Sequence, residues 1–179
     1  FRFDPASELF AKVTRNSPGT LVSNDLSCVA ASEGGLLWFG ARSAGLNLLG
    51  NSQWTLFAEG LTELPSDSIM CLESSGRFLW AGTAGGLALF DGNVLADKFD
   101  FSNTSGGIPN NVINDILAIG DTVWCATAGG VGKGVKSGAV WTWQALNAGL
   151  GDPGVLSMGT FEDAIWAGTN DGTYRYDGV

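Results

Sequence analysis

Histidine is absent from the 179-residue sequence, and basic residues are scarce: nine Lys and Arg against eighteen Asp and Glu give a net charge of −9. Without histidine the chain has no Ser-His-Asp or Cys-His relay, no His-ligated zinc and no His-held haem. Nine cations spread thinly along an acidic chain offer phosphates no basic stripe, which argues against nucleic-acid binding. An anionic membrane surface repels such a chain as well. No apolar run approaches the ~20 residues that span a bilayer, so direct membrane insertion is not expected. Cys28, Cys71 and Cys125 are an odd number with no Cys-x-x-Cys spacing, so buried structural thiols are expected and their redox compartment stays open. Charged residues make up 15% of the chain, against an ordinary share of about 25%, while 45% is hydrophobic. That balance supplies a core and excludes disorder. The chain also opens at Phe1 without a Met or a charged-then-apolar leader, which reads as a processed or excised segment.

What the sequence has in plenty is glycine, 27 residues, and tryptophan, seven residues. The glycines follow no every-third-residue rule, so they read as turns between short strands. Four tryptophans set a period. Trp38, Trp80, Trp124 and Trp166 stand 42, 44 and 42 residues apart, inside Leu37-Trp38-Phe39-Gly40-Ala41, Leu79-Trp80-Ala81-Gly82-Thr83, Val123-Trp124-Cys125-Ala126-Thr127 and Ile165-Trp166-Ala167-Gly168-Thr169. A second glycine signal follows each, at Gly45, Gly85-Gly86, Gly129-Gly130 and Gly172.

Each unit then divides into four strands, named A to D from the inside outward. The Trp-bearing stretch is strand B, and alternating stretches such as Leu87-Ala88-Leu89-Phe90 and Thr173-Tyr174-Arg175-Tyr176 are strand C. Gly50, Asp91-Gly92, Ser137-Gly138 and Asp177-Gly178 close strand C, and Asp-Gly accepts the positive φ of tight hairpins. Gln53–Phe57, Asp97–Phe101 and Val140–Trp143 supply strand D. Strand A precedes the tryptophan, with Leu26, Ile69, Ile113 and Val155 in one apolar column and Val29, Leu72, Ile116 and Met158 in another three residues on. The offset of three looks helical, but Gly, Asn, Ser and β-branched residues crowd these windows, so it reads as a strand with a bulge. No helix is expected anywhere. Four strands in about 43 residues is the size of one β-propeller blade.

The expected architecture is therefore all-β, a single propeller domain or arc over 1–179. Residues 1–19 form a partial blade of strands C and D, because Phe1-Arg2-Phe3-Asp4 is similar to Tyr174-Arg175-Tyr176-Asp177 and Glu8–Val13 to a strand D. Blades follow at 20–62, 63–106 and 107–150, with an incomplete one at 151–179. Two closures stay open: the amino-terminal strand completes the last blade, or the chain is an arc whose missing blades lie on a longer parent chain or on a second copy, the favoured reading.

Leu64-Pro65-Ser66-Asp67-Ser68-Ile69, running on to Trp80, Thr83 and Gly85-Gly86-Leu87, resembles the two-component regulator propeller repeat, and Ile108-Pro109-Asn110-Asn111-Val112-Ile113 with Trp124, Thr127 and Gly129-Gly130-Val131 matches it again. The first copy departs at Arg42-Ser43-Ala44 and the fourth at Asp152-Pro153-Gly154, which blurs loops rather than blades. The resemblance implies an extracytoplasmic β-propeller, periplasmic or secreted, of the kind found in bacterial sensor regions. It carries no kinase of its own here. The function it implies is noncatalytic binding of a small ligand, a glycan or a protein, with no cofactor. An assembly in which blades of several copies associate, and a carbohydrate-binding or carbohydrate-active propeller, are the alternatives.

Propellers gather function where D-to-A and B-to-C connections converge. The candidate residues are Asn24, Asp25, Asp67, Asn110 and Asn111 on the first kind of connection and Arg42, Ser43, Asn170 and Asp171 on the second. Turn chemistry asks for the same residue types. Trp38, Trp80, Trp124 and Trp166 read as blade core. Trp54, Trp141 and Trp143, on outermost strands, either face solvent and stack on a sugar or pack against the next blade. Cys28, Cys71, Asp115 and Ser157 share one inner-strand position that lines a channel and is a poor metal set. No pair of acids stands out as a glycosidase couple.

Overall fold

A computed structural model describes residues 13–15 and 21–178 in full and 2–4 and 9–11 by their backbone. Of the expected partial blade, Phe1 and residues 5–8, 12 and 16–20 lie outside the described residues, as does Val179. Strands β1 (Arg2–Asp4) and β2 (Leu9–Ala11) pair antiparallel with each other. Three four-stranded antiparallel meanders follow. The first holds β3 (Leu26–Ser32), β4 (Leu36–Ala41), β5 (Leu46–Gly50) and β6 (Gln53–Phe57). The second holds β7 (Ile69–Ser75), β8 (Phe78–Thr83), β9 (Leu87–Asp91) and β10 (Val94–Phe99), and the third β11 (Ile113–Ile119), β12 (Thr122–Thr127), β13 (Gly130–Ser137) and β14 (Val140–Leu146). Among the described residues the last blade has three strands, β15 (Val155–Phe161), β16 (Ala164–Thr169) and β17 (Gly172–Tyr176). Inner strands pack in series, β3 against β7, β7 against β11 and β11 against β15, which is a propeller-like arc of blades.

The apolar offset of three is a bulge in all four blades. Pairing slips one residue between Leu26 and Cys28, Ile69 and Cys71, Ile113 and Asp115, and Val155 and Ser157. The extra residue lets both apolar columns serve one strand. One helical turn was not anticipated: α1 (Glu59–Thr62), between the first two blades, ends at Glu63 with φ 57. It forms because Thr62 Oγ1 turns back on Ala58, accepting its N–H at 3.0 Å and donating to its carbonyl at 3.1 Å.

Blades adhere through their tryptophans. Trp38 is fully buried among Leu46, Phe57 and the second blade's Ile69, Leu79 and Phe90, with its ring centroid 5.0 Å from that of Phe90. Trp80 repeats this one blade on, 5.0 Å from Trp141, with Ile113 and Ile116 in the same cluster. Trp124 does so against Tyr176 at 5.3 Å, together with Val155 and Met158. Burying one indole removes on the order of 200 Å² from water, worth at most about 5 kcal/mol. Trp166 occupies the same place in the last blade and is only half-buried.

Trp141 and Trp143 pack against a neighbouring blade, whereas Trp54 packs within its own. Trp141 and Trp143 turn toward the second blade, Trp143 lying 4.9 Å from Phe99, and Trp54 stacks on Phe39 at 5.3 Å; all three are half-buried. The three thiols are free, with Cys125 buried and the others half-buried. Burial pushes the Cys28, Cys71 and Cys125 thiols up, most strongly the last two.

Candidate functional site: the loop rim

In each blade, strand A starts beside the end of strand B, as the pairing of Ile69 with Thr83 shows. D-to-A and B-to-C connections therefore lie on one rim. Within a blade they are tied together by the backbone: the Arg42 N–H donates to the Asp25 carbonyl at 3.1 Å, Ala84 to Ser68 at 3.0 Å and Ala128 to Val112 at 3.4 Å. The Gly45 N–H reaches across to the Asp67 carbonyl of the next blade at 2.9 Å.

The Gly-Thr-x-Gly-Gly motif builds this rim from strand B. Thr83 Oγ1 donates to the Gly86 carbonyl at 2.7 Å and accepts the Gly85 N–H at 3.0 Å; Thr127 repeats both bonds with Gly130 and Gly129 at 2.8 and 3.1 Å. Gly86 has φ 139, and an added Cβ there would meet the Phe99 carbonyl oxygen at 2.6 Å, so both the turn and the close approach require glycine. These buried threonines are organising residues that composition alone does not single out. Their signal was the recurrence of Thr three residues after the tryptophan.

Most candidate side chains are engaged in turns. Asn24 Oδ1 accepts the Arg15 N–H at 2.9 Å, Asp67 Oδ1 the Glu59 N–H at 2.8 Å, Asn110 Oδ1 the Val112 N–H at 2.8 Å and Asn111 Oδ1 the Phe101 N–H at 2.7 Å. Arg42 and Asp25 come together as an exposed ion pair with N···O 3.3 Å. Asp171 accepts from the Thr169 hydroxyl and from Tyr174 Oη, and these bonds hold its carboxyl below the usual range. Ser43 and Asn170 are exposed.

Beside the second blade the rim opens into a hollow of about 420 Å³, bordered by Glu63, Pro65, Gly85, Lys98, Asp100 and Asn103. Lys98 Nζ stands 2.9 Å from Glu63 Oε2, and that contact holds the Glu63 carboxyl below its ordinary range. Asp100 and Asn103 exchange backbone-to-side-chain bonds at 2.8 and 2.9 Å, and Asn103 Nδ2 donates to the Lys98 carbonyl at 3.0 Å. The hollow thus presents a paired cation, a fixed carboxamide and a fixed carboxylate. None of the candidate residues expected from the repeat pattern borders it, and Asp67 reaches it only through its bond to Glu59, which lines the edge. Lys98 and Asn103 escaped notice because a lone Lys and an Asn after strand D carry no motif.

At the inner-strand position, Asp115 Oδ2 accepts the Met158 N–H at 2.7 Å and Cys71 Sγ points to the Ile113 carbonyl at 3.8 Å. These side chains join neighbouring blades. Among the described residues no group of three Cys, Asp or Glu is arranged to hold a metal ion.

No protein-family model matches the sequence, and no curated protein matches it. Solved structures do. The extracellular domain of the putative hybrid two-component system BT3049 from B. thetaiotaomicron is similar over 86% of this chain and 23% of its own, at 19% identity and TM-score 0.65. That of BT4673 from the same organism is similar over 85% and 20%, at 20% identity and TM-score 0.62. The computationally designed Ika4 protein is similar over 84% of this chain and 89% of its own, at 12% identity and TM-score 0.60. The fold is shared with extracellular sensor domains. The chain spans about a fifth of their length, and among the described residues no helix is long and apolar enough to cross a membrane.

Proposed function

We propose that this chain is a noncatalytic binding segment of an extracytoplasmic propeller of the two-component regulator type, taking a small ligand, a glycan or a protein on its loop rim. The observation that carries the reading is the rim itself: tied connections from successive blades frame a polar hollow on a rigid scaffold. The Leu/Ile-Pro-x-Asp/Asn entries, the Trp-Ala-Gly-Thr strands and the similarity to extracellular sensor domains support the family and the location. Lys98 and Asn103 supply donors for a carboxylate, a sugar hydroxyl or a peptide carbonyl, and Arg42 adds a second cation along the rim. The sequence has no histidine for a Ser-His-Asp or Cys-His relay, which supports binding without turnover.

The test is thermal unfolding of the chain against a panel of defined oligosaccharides and short acidic and neutral peptides, with each probe recovered and analysed. At least one probe class is expected to raise the unfolding midpoint, to lose that effect with Lys98→Ala or Asn103→Ala, and to be recovered intact. A midpoint rise that survives both substitutions places binding elsewhere, and a cleaved probe overturns the noncatalytic reading.

A further inference from the structure

The hairpin of β13 and β14 departs from the repeat. It pairs over seven residues, where β5 and β6 pair over five. Strand β13 is eight residues long, against five for both β5 and β9. The added length brings Lys136 and Trp141, a cross-strand pair, against the second blade. The Lys136 N–H donates to the Asp121 carbonyl at 2.8 Å, which ties the hairpin to the turn between β11 and β12. Opposite, the second blade presents Phe78 at the first position of strand B, where the other blades have Leu36, Thr122 and Ala164.

Aromatic rings and a cation meet there. Lys136 Nζ lies over the Phe78 ring, 5.1 Å from its centroid, and over that of Trp141 at 5.6 Å. Trp80 stands edge-on to Trp141, with ring centroids 5.0 Å apart at 82°. Beside the ammonium a notch of about 50 Å³ remains, bordered by Phe78, Trp80, Trp141, Lys136 and the exposed Asp121. Arg77 also approaches Phe78, at 5.8 Å, but its guanidinium is bound to Asp91. Among the described residues Lys136 is in no ion pair, so the ring faces are what hold its charge.

This arrangement suits one kind of cation better than the one now in it. Aromatic faces attract positive charge but offer its N–H groups no oxygen. A primary ammonium has three such donors to satisfy, and Lys136 is only half-buried. A methylated ammonium carries the same charge with those donors replaced by methyl groups, which fill apolar space. The notch supplies each requirement of that group: ring faces for the charge, vacant volume for the methyls and the Asp121 carboxylate at the edge.

We propose that the notch between the second and third blades binds methylated ammonium groups, with Lys136 swinging out as the ligand enters. The chain's own ammonium marks the place and the sign of the charge. Lys136 is then a resident competitor, so its removal strengthens binding. The net charge of −9 draws cationic ligands toward the chain. The notch lies among the A-to-B and C-to-D hairpins, at the opposite end of the strands from the rim, and shares no residue with the rim hollow. It stands apart from the rim reading.

Proton NMR of tetramethylammonium chloride titrated with the full chain tests it, with sodium chloride holding the ionic strength constant. The methyl signal is expected to move upfield and to saturate, because ring faces shield what lies over them. Lys136→Ala is expected to tighten binding and Phe78→Leu to weaken it, each about two- to fivefold, the worth of one cation–π contact. Circular dichroism verifies the sheet content of both variants, and Lys136→Ala decides alone should Phe78→Leu fail to fold. Choline and trimethyllysine, titrated separately, show whether a free small molecule or a side chain carries the group, the tighter binder naming the carrier. A shift that never saturates overturns the proposal. So does an affinity that Lys136→Ala leaves unchanged or lowers, or one that a folded Phe78→Leu leaves unchanged.

Discussion

The joint between the second and third blades and the free side of the last blade are built from the same repeat, yet only one is finished. At the first, Trp80 is 3% exposed, Ile113 is fully buried and two outer tryptophans fill the remaining space. At the second, Trp166 is half-buried, Gly168 meets no neighbouring blade and Phe161 is 62% exposed. The sequences of strand B are nearly identical in the two places. The difference shows that a blade's stability resides in its contact with the following blade more than in its own strands, as in other repeat folds.

The sharpest way to break this comparison is to delete the same side chain at both places. Trp80→Ala is expected to cost about 3–5 kcal/mol through the cavity it leaves, read as a lowered denaturation midpoint. Trp166→Ala is expected to cost about 1–2 kcal/mol. Equal losses would refute the contrast. A smaller pair of changes sharpens it. Gly82→Ala drives a Cβ into Cys71 Sγ and to 2.8 Å from Ile113 Cγ2, and overpacking of this kind costs about 1–3 kcal/mol. Gly168→Ala meets only the Ser157 hydroxyl at 2.8 Å, which can rotate away, so its effect stays within about 0.5 kcal/mol.

The thiols report the same gradient chemically. Cys125 is fully buried in the middle of the arc, while Cys28 lies half-buried in the first blade. Native-state alkylation followed by mass spectrometry should modify Cys28 first and Cys125 last, and modification of Cys125 ahead of Cys28 would contradict the packing. The smallest effect belongs to Asp171, whose carboxyl is held down by the Thr169 and Tyr174 hydroxyls. A carboxylate with a folded pKa below its unfolded value, about 3.9, stabilises above that value and loses its contribution as pH falls through the folded one. Asp171→Asn should therefore flatten the acid limb of the stability curve below about pH 4 and leave the neutral region nearly unchanged, as acid titration of the unfolding midpoint would show.

Much of this was legible because the repeat writes each constraint four times. The tryptophan period gave the blades, and crowding of Gly, Ser and β-branched residues distinguished a bulged strand from a helix at Leu26–Val29 and its counterparts. Single events were harder to read. The turn Glu59–Thr62 depends on one threonine bonding back to Ala58, which no periodicity announces. Trp141 and Trp143 alternate on an outer strand in a way that fits solvent or a neighbour equally, and only the three-dimensional placement of Trp80 and Phe99 decides it. The candidate rim residues were recognisable by type, since Asn and Asp at turns serve the local backbone whether or not a ligand is near. The hollow at Lys98 and Asn103 has no sequence signature because it forms between two connections far apart in the chain.

Amide hydrogen exchange on the full chain tests the central claim most directly, because it reads each blade separately. The account predicts the slowest exchange in β8 and β12, flanked by blades on both sides, and fast exchange along β17. Uniform protection across the four blades, or a β17 as slow as β12, would contradict it.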